Sequence, residues 1–240
     1  MPYSYYYGFD WTYFVLVLPC ILLSLWASSN VNSTFRKYAN QHSSRRLTGA
    51  EAAQRVLAAN GVRGVRIDRV SGNLTDHFDP KTNVIRLSDS VYGSTSTAAI
   101  GVACHEAGHA VQYAQNYGPI KLRAAIIPIT NFGSKIAMPL ILVGILLSAM
   151  GEISYTFIYL GIAAFSLSLV FQLVTLPVEF NASRRAMQAI ESANILTEEE
   201  QRGARKTLTA AAMTYVAATA VSLAQLLRLI LLYGRRRRRD

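Results

Sequence analysis

His105-Glu106-Ala107-Gly108-His109 lies within a stretch, Ala98 to Asn116, where Ala98, Ile100, Val102, Ala103 and Ala110 give a mostly apolar surface and Ser94, Ser96 or Thr97 can cap a helix. On a helix, residues i and i+4 share one face, so both imidazoles can reach one tetrahedral Zn2+. Glu106, about 100° round the helix, is then placed to act as general base toward a water on that metal. With four histidines and eight glutamates in 240 residues, this HExxH spacing arises by chance with a frequency of about 0.002. The plainer reading, an amphipathic helix whose histidines satisfy local hydrogen bonds, does not account for the whole pattern. Gly108 in mid-helix costs up to about 1 kcal/mol relative to Ala, which predicts another element packed closely against it.

Upstream, the pattern is that of a small mixed domain. Thr48 and Glu51 have capping-box spacing, and Asn60-Gly61 stops the helix between them. Val65 to Val70 alternates as a strand does, and Leu74 to Phe78 and Val84 to Leu87 flank the turn-rich Asp79-Pro80-Lys81-Thr82-Asn83, which predicts a hairpin. Further out, the composition changes: 51% of residues are hydrophobic, 16% are charged, and mean hydropathy is +0.22. Apolar runs occupy Phe9 to Ala27, Ile136 to Met150, Tyr155 to Leu176 and Ala210 to Tyr233. The first and third are uncharged over the roughly 17 to 22 residues that cross a bilayer. Disorder, collagen and a disulfide scaffold are excluded, since Cys20 and Cys104 are the only cysteines and lie far apart.

The net charge of +10 is distributed as in a membrane protein. Thirteen basic residues fall between Val31 and Lys135, five between Pro177 and Lys206, and five form the terminal run Arg235 to Arg239. They flank apolar segments without aromatic interleaving, which argues against nucleic acid as a partner and follows the positive-inside pattern. The Tyr-rich start (Tyr3, Tyr5, Tyr6, Tyr7) lacks the basic region of a secretory signal, so the first run reads as a retained anchor with its N-terminus outside. Ile136 to Leu176 reads as a helical hairpin with an outside turn at Gly151 to Ser154, and Pro177 as a helix start or kink before a polar-faced helix from Val178 to Ala193. Thr197 and Glu200 repeat the capping-box spacing and start a helix that could continue to Gly234. Arg228 near its end, at about 2.5 to 3.5 kcal/mol for an arginine at mid-membrane, favours an embedded helix that does not cross, with the arginine tail on the cytoplasmic face.

A catalytic zinc needs a third protein ligand. Gln112 and Gln115 stand where a third-histidine extension would fall, so a downstream carboxylate is favoured. Glu179, just after the hairpin, is on the same side as His105 and His109 after two crossings. Glu191, Glu198, Glu199 and Glu200 are alternatives, although a helix N-terminus already explains the last three. Arg184 or Arg185 could stabilise an oxyanion, or could be solvated or lipid-facing charges. Cys104 points away from His105 and reads as a buried small side chain.

HEAGHAVQ at His105 to Gln112, TLPVEFNASRRA at Thr175 to Ala186 and TEEE at Thr197 to Glu200, together with LTDHFDP and KLRAAIIPITNFGS, resemble the bacterial membrane-bound neutral zinc metallopeptidases of the YugP type. The order of HExxH, hairpin and glutamate is also similar to HtpX and, more distantly, to the CAAX prenyl proteases, all gluzincins. In that wider group an Asp usually follows four positions after the glutamate; Ser183 stands there, so any carboxylate orienting a zinc histidine comes from elsewhere. The resemblance implies a mainly α integral membrane protein with a zincin-like cytoplasmic α+β catalytic domain carrying the HExxH helix and an inserted transmembrane helical hairpin. The expected divisions are an anchor at 1–30, the zincin-like domain at 31–135, the hairpin at 136–176, a cytoplasmic helix with the third ligand at 177–206, and a long apolar helix with a basic tail at 207–240. The expected function is a multi-pass zinc endopeptidase of the bacterial cell membrane, one Zn2+ per chain on His105, His109 and Glu179, with Glu106 as catalytic base and the active site on the cytoplasmic side. Its expected partners are the bilayer and peptide or protein substrates, membrane proteins among them. The family also implies an edge strand that pairs with an extended peptide, where His77 could contact substrate. The competing reading is a membrane scaffold with a structural or vestigial zinc site.

Overall fold

The computed structural model of the chain describes residues 10–234; the tyrosines at 3–7 and the arginine tail at 235–239 lie outside the described residues. The architecture is mainly helical with one small sheet, and the chain divides into two compact units.

The first unit to consider comprises Ala27–Ala125 and Val174–Tyr215. It takes in the later turns of α1 (Leu18–Ala39), then α2 (Gly49–Ala59), β1 (Arg66–Val70), β2 (His77–Asp79), β3 (Val84–Ser88), α3 (Thr97–Ala114), the start of α4 (Gly118–Leu146), the end of α5 (Glu152–Ser192) and the start of α6 (Glu198–Tyr233). Both capping boxes form as the spacing predicts. Thr48 accepts from the Glu51 amide at 3.2 Å while Glu51 accepts from the Thr48 amide at 2.8 Å. Thr197 and Glu200 do the same at 3.4 and 2.9 Å, and Glu200 also accepts from the Ser44 amide at 2.6 Å. These bonds satisfy amides that would otherwise be orphaned at the helix ends.

The sheet order is β1-β3-β2, with β2 and β3 an antiparallel hairpin and β1 parallel to β3. β2 begins at His77, later than the alternation suggests, because Leu74 sits at φ 56° in the left-handed region, where a strand cannot run. Asn83, also left-handed at φ 55°, closes the turn. Ile85 and Leu87 of β3, Val56 of α2 and Ile100, Ala103, Ala107 and Val111 of α3 bury into one core, joined by Ile190 and Ile195.

α5 departs from the sequence reading. It runs unbroken through Pro177, which therefore marks neither a start nor a stop. Proline removes one donor, leaving the Leu173 carbonyl without its helical partner, and Leu173 is also the residue at which the chain passes between units. The turn before α5 is Leu147 to Gly151, with Gly151 at φ 59°, so Glu152 is already helical.

The second unit holds the chain up to Trp26, Ile126–Leu173 and the chain from Val216. A π-helical turn, Tyr13–Val17, leads into α1. α4 and α5 approach through small residues: a Cβ on Gly144 would stand 2.8 Å from the Ser154 carbonyl oxygen, and one on Gly161 2.9 Å from that of Ala137. Ser154 donates to the Gly144 carbonyl at 2.7 Å. Such contacts let helices associate where lipid removes the hydrophobic drive.

Four helices are long and apolar enough to cross a membrane: Tyr13–Ala39, Gly118–Leu146, Glu152–Ser192 and Glu198–Tyr233. The obstacle that Arg228 poses to a crossing α6 is met by Asp10, whose Oδ2 accepts from Arg228 Nε at 2.9 Å and from Nη2. The guanidinium also lies 5.4 Å from the Tyr13 ring centroid. Tyr159 donates to the Tyr233 carbonyl at 3.2 Å. Within this unit the last turns of α6 thus lie beside the start of the first helix and the first turns of α5.

Candidate metal centre

α3 starts where Ser96 Oγ accepts from the Ala99 amide at 3.2 Å, and two turns later it carries His105, Glu106 and His109. Gly108 answers the packing question raised by its cost: a Cβ there would lie 2.7 Å from the Ala182 carbonyl oxygen. α3 and α5 meet backbone to backbone at this point. That contact sets Glu179, one helical turn before Ser183, opposite the two histidines.

His105 Nε2 is 3.2 Å and His109 Nε2 3.5 Å from the same oxygen, Glu179 Oε2. All three donor atoms fall within 4.8 Å of one another, and Glu179 is 2% exposed. The outer nitrogens are held from behind. Gln112 Nε2 donates to the Val178 carbonyl at 2.8 Å and to Asn181 Oδ1 at 2.9 Å, which turns its amide oxygen toward His109 Nδ1 at 3.0 Å. Nδ1 therefore carries a proton, and Nε2 is the nitrogen that would offer a lone pair to a metal. His105 Nδ1 lies 3.1 Å from Ser183 Oγ, so a hydroxyl occupies the position where a carboxylate was expected.

On the other side, Arg123 Nη1 donates to Glu179 Oε1 at 3.1 Å, leaving Oε2 for the imidazoles. The Tyr215 hydroxyl also bonds to Glu179. An imidazole lone pair facing a carboxylate oxygen would be repelled, so each Nε2 needs a proton or a cation between it and Glu179 Oε2. Burial opposes protonation of His109, yet the hydrogen bond to Glu179 and the charges of Glu106 and Glu179 outweigh it and hold the His109 pKa above its ordinary value. Two nitrogens and one carboxylate oxygen, each supported by an outer partner, are the donor set and surroundings that suit Zn2+ with one position open.

Glu106, 9% exposed, lines the same pocket as His105, Glu179, Ser183 and Tyr215. Asp76 stands across that pocket, its oxygens accepting from the Ser88 amide at 2.7 Å and the Ser88 hydroxyl at 2.9 Å. Burial first, and the charge of Glu106 in addition, push the Asp76 carboxyl above its usual range despite those bonds.

The family described as "Putative neutral zinc metallopeptidase" matches residues 13–234. The chain belongs to this family. It is 47% identical over 218 residues to "Putative membrane protease YugP" of Bacillus subtilis (strain 168), covering 91% of this chain and 95% of that relative. No solved structure matches it. Family membership implies zinc, and the His105, His109 and Glu179 cluster is a possible site for it.

Other residues singled out in the sequence lie elsewhere. His77 is exposed on β2, an edge strand, its Nδ1 2.8 Å from the Thr75 carbonyl. Arg185 donates to Asn181 and Gln115 and lies over the Tyr117 ring. Arg184 lines a groove with Phe180, Met187 and Arg205. Cys104 is fully buried, which pushes its thiol far up in pKa, and it does not line the pocket. Glu198 and Glu199 occupy the first turn of α6, as a helix N-terminus favours. Gln112, Asn181, Ser183, Arg123 and Tyr215 had no signal as a set: only their contacts with the two histidines and Glu179 reveal them.

Proposed function

We propose that the protein is a membrane-bound zinc endopeptidase of the gluzincin type with a zincin-like catalytic domain, one Zn2+ per chain held by His105, His109 and Glu179. The observation that carries this reading is the convergence of both Nε2 atoms on Glu179 Oε2, with Glu106 free to act in the same pocket. Zinc bound there supplies a Lewis acid that polarises water and the scissile carbonyl. Glu106 takes a proton from the attacking water and returns it to the departing amine nitrogen as the C–N bond breaks. Gln112 and Ser183 orient the two imidazoles, and Arg123 holds the carboxylate so that one oxygen faces them. A structural zinc would need no general base beside it and would usually close with a fourth protein ligand; an intact Glu106 in an open pocket favours catalysis over the scaffold reading.

The basic residues of 31–135 and 177–206 support a site on the cytoplasmic side of a bacterial cell membrane, by the positive-inside tendency. With Arg228 paired to Asp10, α6 becomes a fourth crossing that ends on the side of the N-terminus. Peptides and proteins, including membrane proteins, are the substrates.

The deciding experiment is metal analysis with peptidase assay of the full chain in detergent. Wild type and Glu106→Gln should each hold one zinc, with turnover falling about 10²- to 10⁴-fold in the variant; His105→Ala should hold none. Stoichiometric zinc in His105→Ala, or full activity in Glu106→Gln, would refute these roles. For orientation, Lys81→Cys should resist an impermeant thiol reagent in intact cells, and labelling there would reverse the sidedness.

A further inference from the structure

Beside Glu106 and His105 opens a pocket of about 240 Å³, and one face of α6 forms a wall of it. Leu208, Ala211, Ala212 and Tyr215 recur at i, i+3, i+4 and i+7, so they stand on a single helical stripe. The two alanines leave the space between Leu208 and Tyr215, whose hydroxyl already bonds to Glu179. Val31 and Phe35 of α1, Leu74 before β2 and Val102 of α3 complete the apolar lining.

We propose that this pocket receives one bulky aliphatic or aromatic side chain of an extended peptide, next to the bond being cleaved, and that Ala211 and Ala212 set its depth. The inference rests on the peptidase reading and adds a substrate class to it. Three observations favour this occupant. The volume lies below the roughly 300 to 1,000 Å³ of small-molecule and cofactor sites and suits a single side chain. The pocket is continuous with Glu106 and His105, so a side chain seated there brings its own backbone to the reacting groups. The polar lining is dominated by three carboxylates, Asp76, Glu106 and Glu179, with no lysine or arginine. Arg123 and the bound zinc answer the charge of Glu179, and an acidic side chain, or the phosphate of a lipid headgroup, would still meet the carboxyls of Asp76 and Glu106 and an otherwise apolar wall. The site should thus accept Leu, Met or Phe and reject Asp and Glu.

The test uses the full chain, zinc-loaded in detergent, and a peptide series in which single positions are varied through Ala, Leu, Phe, Trp and Asp, with cleavage read by mass spectrometry. Wild type should cleave beside Leu or Phe at least tenfold faster than beside Ala, and Asp should be cut least. Ala211→Phe should reverse that order in favour of Ala, and Phe35→Ala should extend it to Trp. A parallel arm photo-crosslinks Glu106→Gln protein with a peptide carrying a diazirine analogue of leucine, and the crosslinks should map to Val102, Leu208 or Ala211. Cleavage that depends on Glu106 but shows no apolar preference, and is unmoved by Ala211→Phe, overturns the pocket assignment and leaves the peptidase reading standing. Crosslinks at those residues without cleavage by wild type support the pocket as a peptide site and overturn the peptidase reading. A diazirine-bearing phospholipid that labels the same residues and is not displaced by peptide overturns the assignment in favour of a lipid tail.

Discussion

Glu179 and Asp10 are each held by an arginine among apolar helices, and the two pairs are used differently. Asp10 is closed: Oδ2 takes two donors from Arg228, and Oδ1 takes the Thr12 hydroxyl and the Tyr13 amide. Glu179 is half open, since Arg123 takes Oε1 while Oε2 faces two imidazole nitrogens, where a cation can take the place of a proton. A carboxylate whose lone pairs are all occupied ties helices together. One with an oxygen turned toward two imidazole nitrogens is arranged for a cation. Arg123 itself is imperfectly satisfied, as its Nε is buried without a partner, a cost of about 1 to 3 kcal/mol that is consistent with a residue placed for a site and not for packing.

The sharpest way to break this contrast is to remove Arg123. Arg123→Ala leaves the Glu179 carboxylate buried without its outer partner, and zinc affinity should fall 10- to 100-fold, the range for lost outer-sphere support. Arg123→Lys keeps the charge and dispenses with the unpaired Nε, so it should recover most of that loss. Competition with a chromophoric chelator measures both. Unchanged affinity in Arg123→Ala would mean that the pair is structural, like the one at Asp10.

A smaller effect is expected behind the histidines. Gln112→Met keeps size but removes the acceptor that fixes the His109 tautomer, and Ser183→Ala does the same at His105; each should weaken zinc toward the tenfold end of that range. Acidification should act in the same direction. Because the His109 pKa lies above its ordinary value, protons compete with zinc at higher pH than at a free histidine, so affinity should fall as pH drops through the neutral region and be regained above it. Zinc retention that rises on acidification would contradict the assignment of His109 as a ligand.

What the sequence made legible follows the range of the interaction. The two capping boxes, the His105 to His109 helix and the hairpin turn rest on residues within four positions of each other, and each forms. Gly108 betrayed a close neighbour, though not that the neighbour was Ala182. The contacts around the site that went unread span 56 to 78 positions, as Arg123 with Glu179 and Ser183 with His105; Ser183 was noted only for the Asp it replaces, and nothing in the local pattern of Arg123 distinguishes it from a surface or helix-end polar group. Pro177 does not start a helix: α5 continues through it, and the bond it removes falls at Leu173, where the chain passes between the two units. Arg228 weighed against a crossing because its cost was counted alone, whereas its partner lies 218 residues away.

That last pair yields the smallest effect on chemistry and the clearest sharpening of the contrast. Arg228→Gln leaves Asp10 without its cation, and a charge-assisted hydrogen bond of this kind contributes about 1.5 to 3 kcal/mol. The variant should lose thermal stability in detergent while binding one zinc with wild-type affinity. Asp10→Asn should behave alike. Exchanging the two, Asp10→Arg with Arg228→Asp, should restore part of the loss, because the attraction survives reversal even though the geometry and the Tyr13 contact do not. Calorimetry on wild type, Arg228→Gln, Asp10→Asn and the double variant that combines these two substitutions gives the coupling energy directly. A coupling near zero would mean that the two ends are not held together, and with it would fall the argument that α6 ends beside the start of the first helix. A reporter joined after Asp240 gives an independent reading: alkaline phosphatase activity without cytoplasmic fluorescence is expected, because a crossing α6 delivers its end to the side where Asp10 lies. Fluorescence instead would return α6 to an embedded helix and require Arg228 to find Asp10 without crossing.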